Sequence, residues 1–94
     1  MKKETEYLLK YIHNDTYKML LDKQKYRLEE IGNHRRDMEL NIRYLLNFGV
    51  KHIDYVLLER LDDLLLSHHD FIKKMQEYEA NFSRDEVMNL LENS

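Results

Sequence analysis

With 94 residues, no cysteine, no proline, two glycines and a formal net charge of -3, the chain has room for one small domain and lacks the basic field of a protein that lives on nucleic acid. The missing cysteines exclude disulfide and thiolate chemistry, and no apolar run approaches the roughly 18–20 residues of a membrane span. Met1-Lys2-Lys3-Glu4 leads into too short an apolar stretch for an export signal, so a cytoplasmic protein with no membrane contact and no cofactor is expected, of a composition that suits an AT-rich bacterial or phage genome.

Scarce glycine and proline predict long helices joined at few breakpoints. The first should run from about residue 4 to 47, as one helix or a pair. At 100° per residue Leu8, Ile12, Met19 and Tyr26 share one side, whereas Tyr17, Leu20, Leu21, Leu28 and Ile31 lie opposite. A helix apolar on two sides has two partners to satisfy, and the second is expected to be another copy of the chain or a target protein. Gly32-Asn33 can be read as a C-terminal cap followed by an N-cap. The stripe Leu28, Ile31, Arg35, Met38, Ile42, Leu45 nevertheless keeps its spacing through the glycine, which favours a continuous rod of about 65 Å.

Asn47-Phe48-Gly49-Val50 is a firmer break, with Gly49 where a helix C-cap is wanted, and the chain should reverse over 47–51. From 51 to 81 the positions Ile53, Leu57, Leu61, Leu64, His68, Phe71, Met75, Tyr78 and, just beyond, Phe82 fall on one stripe, which predicts a single long amphipathic helix. Ser83-Arg84-Asp85-Glu86 matches a capping box ahead of Val87, Leu90 and Leu91, so a short helix is expected over 84–93.

Few residues carry chemistry. His68-His69-Asp70, with Asp62 and Asp63 earlier, has metal-ligand types, yet adjacent histidines on a helix diverge by 100° and cannot converge on one ion. His68 is therefore expected in the seam, where its protonation would tune assembly. Glu29, Glu30, Asn33 and His34 lack the paired repeat of a di-iron bundle. Lys23, Lys25, Arg27, Arg35 and Arg36 form a basic series that a nucleic-acid reading would use, diluted by Glu29, Glu30, Asp37 and Glu39. A helix-turn-helix drawn over Asp37–Leu57 would place a recognition helix rich in leucine and acids, a poor match to phosphates.

The segment from Asp37 to Phe71, with its Phe48-Gly49-Val50 turn and Leu58-Glu59-Arg60-Leu61-Asp62, resembles the helical hairpin of the small sporulation aspartyl-phosphate phosphatases. Their Ser-Gln-Glu-Leu-Asp hallmark recurs here only at Leu61 and Asp62, with Glu59 and Arg60 in place of Gln and Glu, so the resemblance implies a helical hairpin and no activity.

Seven tyrosines and three phenylalanines exceed what a thin helical core needs, and Tyr44, Phe48 and Tyr55 project away from the main stripes around the turn. The fold expected is all-α over 1–94: a long antiparallel, coiled-coil-like hairpin or a small bundle of three to four helices, assembled as an oligomer. The function expected is a non-enzymatic protein-interaction module, an adaptor, assembly factor or inhibitor. Its interface residues would be Leu8, Ile12, Met19, Tyr26, Tyr44, Phe48 and Tyr55; a nucleic-acid-binding regulator and a metal-binding bundle are the alternatives.

Overall fold

Where the chain stops being helical decides how it packs. The computed structural model describes residues 3–93; Met1, Lys2 and Ser94, part of the domain expected over 1–94, lie outside the described residues. The elements are a 3₁₀ helix (Lys3–Lys10), α1 (Asn14–Lys23), a 3₁₀ turn (Lys25–Arg27), α2 (Leu28–Asn33), α3 (Arg35–Phe48), α4 (Ile53–Glu59), α5 (Leu61–Leu64), α6 (His68–Asn81) and α7 (Arg84–Asn93). No strand occurs among the described residues, and no helix there is long and apolar enough to cross a membrane. α3 lies at the centre, against the N-terminal 3₁₀ helix and α4, α5 and α6, while α7 closes over α4 and α6. Leu8, Leu20, Ile31, Met38, Ile42, Leu57 and Leu64 fill the core of this all-helical bundle.

The rod expected over residues 4–47 does not form: the whole molecule extends only 42 Å along its longest axis. Residues 3–10 wind with about three residues per turn, and the chain leaves helical geometry at Tyr11–His13 before α1 begins. The 100° phase that aligned Leu8 and Ile12 with Met19 and Tyr26 is therefore lost. Leu8 and Ile12 are core residues, while Met19 is 57% and Tyr26 91% exposed. The two-sided helix inferred from periodicity is thus two separate segments, and Leu8 and Ile12 are corrected from interface to core.

Gly32 also departs from expectation. It lies inside α2, and the break falls at His34, two residues on. A Cβ at Gly32 would stand 2.6 Å from Cγ and 2.8 Å from Cβ of Glu4, so the glycine lets the N-terminal 3₁₀ helix pass directly over α2. Gly49 does what its context predicts. It takes φ 119°, its N–H donates to Leu46 O (3.2 Å), and the Val50 N–H donates to Leu45 O (3.0 Å), the paired bonds of a Schellman cap.

The single helix expected over 51–81 is broken twice. At Arg60 the backbone leaves helical geometry (φ -128°, ψ 39°), and the guanidinium donates from Nη2 to Leu90 O in α7 at 3.0 Å. The second break, between α5 and α6, has an explicit chemical cause. In a continuous helix Leu64 O would accept from the His68 N–H and Leu66 O from the Asp70 N–H. Instead, buried Asn41 donates from Nδ2 to Leu64 O (3.0 Å) and Leu66 O (2.9 Å), the His68 N–H goes to Asp37 Oδ1 (3.1 Å), and the Asp70 N–H goes to Ser67 Oγ (3.2 Å). Three side chains replace two helical bonds, and α6 starts afresh from a serine cap. The stripe survives the breaks in burial: Ile53, Leu57, Leu61, Leu64, Phe71 and Met75 all face the core, with Tyr78 half-buried and Phe82 42% exposed. α7 carries the expected capping box, Ser83 N–H to Glu86 Oε1 (2.9 Å) and Glu86 N–H to Ser83 Oγ (3.2 Å). That contact also lowers the pKa of the Glu86 carboxyl, which accepts the Ser83 N–H as a carboxylate.

Candidate functional site

The ends of α3 and α6 and the start of α7 converge on an open groove of about 560 Å³, lined by Tyr44, Asn47, Phe48, Glu79, Phe82, Ser83 and Arg84. Each wall has a local reason. The Gly49 cap stops α3 so that Phe48 ends the helix half-buried, and the break after Asn81 leaves Phe82 extended (φ -136°, ψ 153°) between α6 and α7. Tyr44 packs edge-on against core Phe71 with ring centroids 5.7 Å apart and stacks near Phe48 at 6.4 Å. Its hydroxyl donates to Glu79 Oε2 at 2.9 Å. Burial first, and then the Glu79 carboxylate, push the Tyr44 phenol above its usual range, so it stays a donor.

Arg84 closes the other end. Its guanidinium donates from Nη2 to Phe48 O and sits 5.0 Å over the Phe48 ring. A cation there complements the carbonyl end of α3 and joins α7 to the turn. The groove therefore has an aromatic floor, Tyr44, Phe48 and Phe82, and a polar edge whose charged groups are already bonded within the fold.

Tyr55 does not join this groove. It is half-buried at a second groove, with His13, Thr16, Lys51, His52, Asp54 and Glu92. The acids there serve backbone amides: Asp54 Oδ2 accepts the His13 N–H (3.0 Å), and Glu92 Oε1 accepts the N–H groups of Lys51 (2.9 Å) and His52 (2.6 Å). Met19 and Tyr26 are exposed and line neither groove, and Lys25 Nζ lies 5.4 Å over the Tyr26 ring. Of the seven expected interface residues, the fold brings only Tyr44 and Phe48 together.

The basic series is split: Arg35 and Arg36 line one groove, which Lys23, Lys25 and Arg27 do not join. Lys23 donates to Glu59 Oε2 at 2.8 Å, and Arg27 to Glu30 Oε1 at 3.0 Å and to Asp62 Oδ1. These carboxylates hold the Arg27 guanidinium above its ordinary pKa, Glu30 first. Arg35 donates to Glu39 Oε2 at 2.8 Å and lies 5.3 Å over the Tyr7 ring, while Arg36 is exposed. As for a metal, among the described residues no three His, Asp or Glu side chains are placed to hold one. His68 turns its Nδ1 to Asn41 Oδ1 at 2.8 Å. Since the Asn41 amide nitrogen is donating to two carbonyls, Nδ1 of His68 carries the proton of this bond.

Two clusters escape a periodicity reading. Asn41 sits fully buried on the apolar side of α3, between Met38 and Ile42 in the stripe, and that polar intrusion is itself a signal. Glu39, also buried, collects Lys10 Nζ (2.7 Å), Tyr11 Oη (2.5 Å), Arg35 Nε (2.8 Å) and Arg43 Nη2 (3.4 Å). Donation by Lys10, and next by Tyr11, holds its pKa down to about 2. Nothing in the sequence brings Lys10 and Tyr11 to it.

Comparison of the chain with protein-family models, with curated proteins and with solved structures finds no match.

Proposed function

We propose that the protein is a non-enzymatic interaction module that docks another protein at the groove of Tyr44, Phe48, Phe82 and Arg84. One observation carries this reading: an aromatic floor with half-exposed rings, framed by Asn47, Ser83, Glu79 and Arg84, has the apolar centre and polar rim of a protein-protein contact. That Glu79 and Arg84 are both engaged by the fold speaks for a binding surface rather than a reaction centre. Phe82 is the natural anchor, because it is large, apolar and not needed to fill the core.

The test uses immobilised protein, with retained proteins identified by mass spectrometry for wild type and Phe82→Asp. A partner held by the wild type and lost with Phe82→Asp, with unchanged circular dichroism, supports the reading; identical sets from both sink it. Self-association is part of the proposal only through Met19 and Tyr26, the most exposed large apolar side chains. Light scattering checks it: a dimer that dissociates with Met19→Asp is expected, and a monomer at every concentration removes it.

A further inference from the structure

On α3 the side away from Met38, Ile42 and Leu45 presents Arg36, Leu40 and Arg43, the 4-3 spacing of one helix face. With Arg35 and Glu39 these residues line a groove of about 520 Å³. Lys10 is brought to the same place by the N-terminal 3₁₀ helix, through its bond to Glu39. None of these residues lines the aromatic groove.

The charge at this place is unlike that of the rest of the molecule. Lys23, Arg27, Arg60 and Lys74 each face a carboxylate of their own or share one between two. Here Glu39 alone serves Lys10, Arg35 and Arg43, and Arg36 makes no ion pair among the described residues. Four cations against one acid leave a local formal charge of +3. Subtracting them from the chain's 15 basic and 18 acidic residues leaves 11 against 17 elsewhere, a formal -6. A field of opposite sign to the remainder of a chain singles out a surface for anions.

The donors are also prepared. Glu39 fixes Arg35 and Arg43 by one fork edge each, and Tyr11 accepts from Arg43 Nε at 3.3 Å, so less side-chain freedom remains to be lost on binding. A guanidinium has five N–H groups, and all those of Arg36 are uncommitted to another residue described. Glu4, whose Cγ lies over Gly32 one turn before Arg36, is not paired with it.

We propose that this side of α3 is a docking surface for an acidic segment of another protein, carboxylates meeting the Arg36 and Arg43 forks and an apolar side chain covering Leu40. Extent selects the partner class. From Arg36 to Arg43 the helix advances about 10 Å. A nucleic-acid duplex carries one charge per about 1.7 Å and would run past the cluster onto a surface of net negative charge. A short acidic segment ends where the cations end, and Leu40 suits its apolar side chains better than a sugar-phosphate backbone.

Fluorescence anisotropy of labelled poly-L-glutamate with the full chain tests this. Binding is expected near 0.01 M salt and should weaken by about 0.15 M, as the screening length falls from about 30 Å to about 8 Å. Arg36→Glu, which breaks no ion pair and should leave circular dichroism unchanged, is expected to weaken it about tenfold or more, the value of one charge-assisted contact. Lys18→Glu, an equal charge change at an exposed site on α1, should leave it nearly unaltered. The proposal falls if poly-L-glutamate does not bind at low salt, if Lys18→Glu weakens it as much as Arg36→Glu, or if a duplex DNA binds more tightly with the same dependence on Arg36.

Discussion

The C-terminal helices and the elements before them end and begin by different chemistry. α6 and α7 start from serines, Ser67 and Ser83, whose hydroxyls accept an amide three residues on. The starts of α1, α2, α3, α4 and α5 have no side-chain cap of their own. Several of their free backbone groups are served from far along the chain: Asp54 for His13, Glu92 for Lys51 and His52, and the Tyr7 hydroxyl for Ile31 O at 2.8 Å. A helix end written locally can form before the tertiary structure does. One written at long range exists only within the finished bundle, so the two regions should respond differently when a cap is removed.

The largest expected effect tests another contact made at long range, that of Asn41 with the ends of α5 and α6. Asn41→Ala removes the donors to Leu64 O and Leu66 O and the acceptor of His68, leaving buried groups unpaired, for a loss of about 3 kcal/mol in urea unfolding. Asn41→Asp keeps the shape and the acceptor but not the donors, and should be no better than alanine. A loss near zero for both would mean that α5 and α6 break for reasons other than Asn41.

Glu39 comes next. Removing its charge with Glu39→Gln leaves Lys10, Arg35 and Arg43 facing one another, at a cost of about 1–2 kcal/mol near neutrality, reduced because the cations stand half in solvent. The folded carboxyl, at about 2, lies below its ordinary 4.5. Its contribution is therefore complete above the ordinary value and is lost as the pH falls through the folded one. The gap in Tm between wild type and Glu39→Gln should close between those two pH values; a gap that persists at the acid end would assign the effect to packing.

Glu92→Ala and Ser83→Ala sharpen the contrast directly. Each should cost about 1 kcal/mol, the usual value of a cap. Their hydrogen-exchange patterns should differ, since Ser83→Ala frays α7 alone whereas Glu92→Ala speeds exchange at Lys51 and His52 and on into α4. Identical patterns would show that α4 and α7 open together and that the origin of the cap is immaterial.

The same contrast explains what could be read from the chain. The all-helical class, the Gly49 cap and the Ser83-Glu86 box depend on neighbours within a few residues, and they appear in the structure where the sequence puts them. The cap at Ser67, which accepts the Asp70 N–H, has a local signal, Ser-x-x-Asp, that the unbroken apolar stripe masks. The interface reading of Leu8 and Ile12 requires one 100° phase to run unbroken across Tyr11–His13, where the chain leaves helical geometry just ahead of Asn14-Asp15-Thr16. At the sites, Tyr44 and Phe48 are neighbours on one helix and so stayed together. Phe82 and Arg84 reach them only because α6 and α7 fold back on α3, as Lys10 reaches Glu39 only through the packing of the first segment.

Gly32 gives the smallest predicted change and the most direct way to separate a local role from a tertiary one. If its role were local, Gly32→Ala would stabilise α2 by about 1 kcal/mol, the helix-propensity difference. In the structure the new methyl group meets Cβ and Cγ of Glu4, and the near end of a side chain cannot swing aside without moving the 3₁₀ helix. One methyl group against one side chain belongs to the lower half of the usual overpacking range, about 1–2 kcal/mol, so the net expectation is a loss of up to about 1 kcal/mol, or a few degrees in Tm. Glu4→Ala removes the closer of the two atoms and should recover part of that loss in the double variant, although alone it should change little. A stabilised Gly32→Ala protein would mean that the first segment does not lie on α2 as described, and Leu8 and Ile12 would again be free to face a partner.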